Sequence, residues 1–175
     1  MGLKQSAFLT EFRSAFEAHI GRPVVWSGGQ TLANVAGFEP DLLVRRAGVT
    51  RSSETFEIGD LRTELDTHTL VVEFESSVPS VHNLVKYWPF IRGDLSRSPS
   101  RPIVLAHFSD WWSYGSHRDL WEWMQMRMAT DSESRVAFDA RQFDHWGNNA
   151  AARTSELRRC FAWIEKITGP DGLAR

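Results

Sequence analysis

Apolar residues recur every four positions at Phe8, Phe12, Phe16 and Ile20, with Leu9 beside them. That spacing predicts an amphipathic helix over residues 3–20, ended by Gly21 and Pro23. Residues 23–26 read as a short strand, and residues 27–40 as a loop or partly helical connection. The pattern then turns strand-like. Residues 41–49 form one candidate, residues 51–66 a turn followed by extended chain, and 69–75, "TLVVEFE", another. Beyond Pro79 the period changes again: Val81, Leu84, Val85, Trp88 and Ile91 fall at helical spacing, with Ser80 as the expected N-cap. After a polar loop, "PIVLAHF" (102–108) is a continuous apolar run suited to a central strand. A helix follows over 116–128, capped by Ser116, with Leu120, Trp123, Met124 and Met128 on one side. Residues 134–143 read as a further strand and 148–167 as a terminal helix. This order predicts an α/β (α+β) fold, a mixed central sheet with an antiparallel meander, flanked by helices.

One strand breaks its own pattern. In "TLVVEFESSV", Glu73 and Glu75 interrupt an apolar run two residues apart, so both project from one face. A tight turn centred on Thr67 and His68 would set Arg62 opposite Glu73 and Asp60 opposite Glu75. One face of the hairpin then carries Leu61, Leu65, Leu70, Val72 and Phe74. The other concentrates Asp60, Arg62, Glu64, Glu73 and Glu75. A solvated sheet face with Arg62 paired to Glu73 is the plain structural reading. The excess of acids over nearby bases points instead to a cation among them.

Composition narrows the chemistry. The chain has 175 residues, enough for one domain over 1–175 with a sizeable core, and no apolar stretch long enough to cross a membrane. A single cysteine, Cys160, excludes an internal disulfide and suits a reducing, cytoplasmic setting; its helical context predicts a buried, inert thiol. The formal net charge of -2 argues against a strongly basic nucleic-acid binder. Only Lys4, Lys86 and Lys166 are lysines among 20 basic residues, so each is conspicuous. The six histidines are scattered without zinc spacing, which leaves carboxylates and hence Mg²⁺ or Mn²⁺ as the expected chemistry. Such an ion would polarise a phosphodiester and activate water. Lys86, on the helix after the acidic strand, is the candidate to sit near the phosphate.

The helix–meander–helix–strand order, Glu73-Phe74-Glu75 on a core strand, and Asp60 placed 13 residues earlier resemble the PD-(D/E)XK nuclease superfamily, which has a restriction-endonuclease-like fold. The resemblance implies a Mg²⁺-dependent nuclease acting on nucleic acid, DNA being the expected substrate. Asp60, Glu73 and Glu75 would be metal ligands and, with Lys86, catalytic residues. Glu75 stands where the family motif has Lys, a role that the resemblance transfers to Lys86 on the next helix. Asp41, after Pro40, is an alternative first acid, with Glu64 and Asp66 behind it. The other reading is an inactive nuclease-like fold that binds nucleic acid or assembles with a protein partner or a second copy. Arginine groups at 45, 46 and 51, at 92, 97 and 101, and at 153, 158 and 159 would track a phosphate backbone or line a solvated face. Of eight Trp, four lie in "FSDWWSYGSHRDLWEW", where packing is favoured over base stacking.

Overall fold

The computed structural model describes residues 3–28, 31–32, 56–57, 59–93 and 100–169. The expected strand at 41–49, with Asp41, Arg45 and Arg46, lies outside them, as do Arg51 and Arg97. Helix α1 (Leu3–Ile20) buries Phe8, Leu9, Phe12 and Phe16, and Gly21 ends it in the left-handed conformation at φ 70°. Two short segments, β1 (Thr31–Leu32) and β2 (Phe56–Glu57), pair antiparallel.

The main sheet has four strands in the order β3 (Leu61–Glu64), β4 (Thr69–Phe74), β5 (Ile103–Ser109) and β6 (Phe138–Asp144). Strand β3 is antiparallel to β4, while β5 and β6 follow parallel. The sheet is mixed, as the sequence predicts. On the far side of β3 the chain after α1 makes one antiparallel bridge, Ser27 to Arg62, in place of the strand expected at 23–26.

The hairpin register departs from expectation by two residues. Glu64 pairs with Thr69, and the connection is the four residues 65–68, closed by the Leu65 N–H donating to the His68 carbonyl at 2.8 Å. Burial of the Leu65 side chain in the core holds that wider turn. A shift of two leaves every side chain on its predicted face. It does change partners: Arg62 now faces Val71 and pairs with Glu64 at 2.5 Å rather than with Glu73.

Two cores flank the sheet. On one side α1 and the terminal helix α5 (Ala150–Thr168) pack onto Leu70, Val72, Phe108 and Phe143. Cys160 is buried there. On the other side lie α2 (His82–Val85), α3 (Trp88–Arg92) and α4 (Gly115–Ala129), packed on Val71, Ile103 and Leu105. The single helix expected after Pro79 is thus two short ones. Pro89 has no N–H to continue the hydrogen-bond ladder, and the chain breaks at Lys86 and Tyr87.

Neither predicted serine cap forms. Helix α2 starts after Val81 and α4 after Tyr114, each with no side-chain cap. The buried side of α4 is carried by Trp121 and Met128, whereas Leu120 and Trp123 face solvent. Trp111 and Trp121 are core, which accounts for half of the tryptophan cluster. No helix among the described residues is long and apolar enough to cross a membrane.

Candidate functional site

The solvated-face reading fails at Glu73, which is 4% exposed and lies under α2 and α3. A buried carboxylate needs compensation from hydrogen bonds or an opposite charge. Glu73 has both on Oε1. The Gly59 N–H donates at 3.1 Å, the Tyr87 hydroxyl donates, and the Lys86 ammonium stands at 2.7 Å. Lys86 is itself only 8% exposed, so the pair is shielded from water. Its placement follows from the broken helix: Lys86 and Tyr87 occupy the joint between α2 and α3, directly above the end of β4. Gly59 is required at its position. It has φ 70°, and a Cβ there would come within 2.5 Å of the Val71 side chain.

Asp60, the next residue, is fixed from two sides. Its Oδ2 accepts from the Phe74 N–H at 2.7 Å, and its Oδ1 accepts from the Gln5 amide of α1 at 2.6 Å. Burial pushes its carboxyl up to about 6, against the Phe74 hydrogen bond, and the negative charge of Glu73 pushes the same way. Asp60 and Glu73 therefore sense each other, and Lys86 partly offsets both. Burial, then the charge of Glu73, raises the Tyr87 phenol well above its ordinary value, so it remains a donor to Glu73.

Glu75 takes a different place. Its Oε2 accepts from the Ser80 N–H at 2.6 Å, and its Oε1 accepts from the Asn83 amide at 2.5 Å. Asn83 in turn accepts from Lys86 at 3.1 Å. The resulting chain runs Glu75, Asn83, Lys86, Glu73, and it ties the start of α2 to the sheet. His107 on β5 stands 3.4 Å from Glu75 Oε2. The Trp121 indole N–H donates to His107 Nδ1 at 3.0 Å. An indole can only donate, so the imidazole proton sits on Nε2, toward Glu75. Burial alone would raise the Glu75 carboxyl, but His107, Ser80 and Asn83 together hold it below its ordinary value.

The structure thus brings Asp60, Glu73 and Lys86 together, with Glu75 linked to them through Asn83. Glu64 sits apart at the hairpin end, bonded to Arg62 and Thr69, and Asp66 lies exposed in the turn. Asp41 is outside the described residues. Sequence reasoning missed Gln5, Gly59, Tyr87 and His107 as members of the site. Tyr87 was the most findable, being the neighbour of the singled-out lysine. Among the described residues, no group of three or more His, Cys, Asp or Glu side chains is placed to hold a metal ion. Both oxygens of Asp60 and Oε1 of Glu73 are already engaged by protein donors. No family model, no curated protein and no solved structure matches the chain.

Proposed function

We propose that this chain is a metal-dependent nuclease of restriction-endonuclease-like, PD-(D/E)XK type, acting on nucleic-acid phosphodiesters, with DNA as the expected substrate. The observation that carries the reading is the meeting of Asp60, Glu73 and Lys86 from β3's leading end, β4 and the following helix joint. The antiparallel β3–β4 pair, the helices and the parallel β5 fit the same architecture.

Asp60 and Glu73 would hold Mg²⁺ or Mn²⁺. The ion would polarise the phosphodiester and lower the pKa of an attacking water. The chain's own residues do the positioning. Gln5 and the Phe74 N–H orient Asp60, and the Gly59 N–H and the Tyr87 hydroxyl orient Glu73. Lys86 supplies the positive charge for the phosphate. Glu75, at the position where the related motif has Lys, acts through Asn83 to fix Lys86 rather than as a ligand. Glu73→Ala is expected to abolish Mg²⁺-dependent cleavage of DNA and RNA substrates. Cleavage undiminished in that variant would sink the reading.

A second reading draws on the saturation of Glu73 Oε1 by three donors. In it the same network is a structural lock, and the fold binds nucleic acid or a partner protein without cutting. A wild-type protein that binds an oligonucleotide and shows no cleavage with either metal would favour it.

A further inference from the structure

Two loops at the carboxyl ends of β5 and β6 present tryptophans to solvent. Trp112 is 74% exposed and Trp146 is 38% exposed, with ring centroids 6.4 Å apart and planes tilted by 35°. Exposed apolar side chains that adjoin one another, unlike scattered single ones, mark contact surfaces. Both are held in place. The Trp112 N–H donates to Asp144 Oδ1 at 2.8 Å, tying one loop to the end of the neighbouring strand. Trp146 has φ 56°, a left-handed conformation that is costly for a bulky side chain, and the Gly147 N–H bonds to His145 Nδ1 at 2.8 Å beneath it.

The loop that carries Trp146 packs against the end of β4, on the α1 side of the sheet, where the Phe74 backbone fixes Asp60. The His145 ring lies 5.4 Å from the ring of Phe74, whose N–H holds Asp60. Between them a cavity of about 230 Å³ is lined by Lys4, Phe8, Phe74, His145, Asn148 and Arg153, with Glu11 also in its wall. Arg153 pairs with Glu11 at 2.8 Å, so Lys4 leaves the wall with a net positive charge, while Asp110 and Asp144 put negative charge on the tryptophan loops themselves. The volume is below the ~300–1,000 Å³ of pockets that enclose drug-sized ligands, which suits one phosphate or one base rather than a larger molecule.

We propose that Trp112 and Trp146 form a stacking platform for an unpaired base, with the adjoining cavity taking its phosphate, so that the substrate is single-stranded where it crosses the platform. This assignment of substrate class rests on the nuclease reading of the Asp60–Glu73 centre. Flat aromatic faces beside positive charge are the recognition chemistry of single strands, whereas a paired duplex hides its base faces.

Fluorescence anisotropy of a labelled oligothymidylate in EDTA, where metal-dependent cleavage is off, tests the platform. Trp112→Ala should weaken binding roughly tenfold, from the usual contribution of base stacking, and Trp112→Phe should keep most of it. A blunt duplex should bind more weakly and be indifferent to Trp112→Ala. Trp112 is exposed, so folding should survive, and an unchanged melting temperature confirms that. Wild-type binding in both Trp112→Ala and Trp146→Ala, or duplex bound as tightly as single strand, would overturn the proposal. So would loss of self-association in Trp112→Ala with oligonucleotide binding intact, which would make the pair a protein interface. Glu73→Gln measured in parallel reads the nuclease centre separately. If cleavage survives Glu73→Gln while Trp112→Ala still loses the oligonucleotide, the centre is wrong and the platform stands.

Discussion

The two faces of the sheet are built on opposite plans. The face under α1 and α5 is dominated by aromatic rings: Phe8, Phe12, Phe16, Phe108, Phe143 and Phe161 meet at ring centroid distances between 4.8 and 6.4 Å, and Glu156 of α5 is its buried acid. Under α2, α3 and α4 the other face also buries Glu73, His107 and Tyr87, and nearly buries Lys86. Apolar burial stabilises without direction, whereas each buried charge costs solvation that only a fixed partner offsets. Both faces bury a hydrophobic cluster, but among the described residues only the second places a buried ion pair within it. The second gives up some solvation to hold Glu73 and Lys86 together, and local conflicts of that kind are where functional sites are expected.

Breaking each face should give different symptoms. Phe12 is fully buried among five aromatic neighbours' worth of packing surface, and Phe12→Ala should cost about 3–5 kcal/mol in urea unfolding. The folded fraction should keep its metal response. Lys86→Met should cost about 3 kcal/mol, the low end for a broken buried pair, because Tyr87 and Gly59 still donate to Glu73. Adding Glu73→Gln to Lys86→Met should recover most of that loss, since no buried charge is left unpaired. A double variant as unstable as the sum of the two singles would show that the pair is not coupled.

A smaller effect separates the faces by pH. The Asp60 carboxyl is raised from 3.8 to about 6, so the folded state keeps its proton longer than the unfolded state does. Its contribution favours folding below 3.8 and is lost as pH rises through about 6. The full shift is worth at most about 3 kcal/mol, less after screening at a partly open group. Glu75 runs the other way: it stabilises above its ordinary value and the effect fades as pH falls through its lowered one. Asp60→Asn should flatten the stability profile between about pH 4 and 7, measured by urea unfolding. A profile identical to wild type would place the titration elsewhere.

The same contrast explains what could be read from the chain. Apolar periodicity placed α1, β4, β5, β6 and α5, because each carries a stripe or run that has one way to be buried. The faces of the β3–β4 hairpin were legible for the same reason, but the pairing was not, since a shift of two residues keeps every face and only Leu65 decides it. The second face was harder. Two of its helices, α2 and α3, are only four and five residues long, and none of α2, α3 and α4 has the side-chain cap that serines at 80 and 116 suggested. Asp60, Glu73 and Lys86 stood out as charges at odds with their surroundings. Tyr87, Gln5 and His107 did not, since each looks like ordinary helix or strand filling until the fold brings it to a carboxylate. The Trp pair was invisible in another way. Trp112 and Trp146 are 34 residues apart in sequence, and only the parallel β5–β6 pairing makes them neighbours.

On the proposed function, Asp60 and Glu73 would share a divalent cation. Thermal unfolding at about pH 7.5 with increasing Mn²⁺ tests it most directly, because ligand bound only to the folded state raises stability by about 2.7 kcal/mol at a hundredfold excess over Kd. Wild type should gain melting temperature in a saturating manner. The gain should shrink as pH falls through about 6, when Asp60 takes up its proton, and should vanish in Glu73→Gln. No gain in wild type, or an equal gain in Glu73→Gln, would contradict the account.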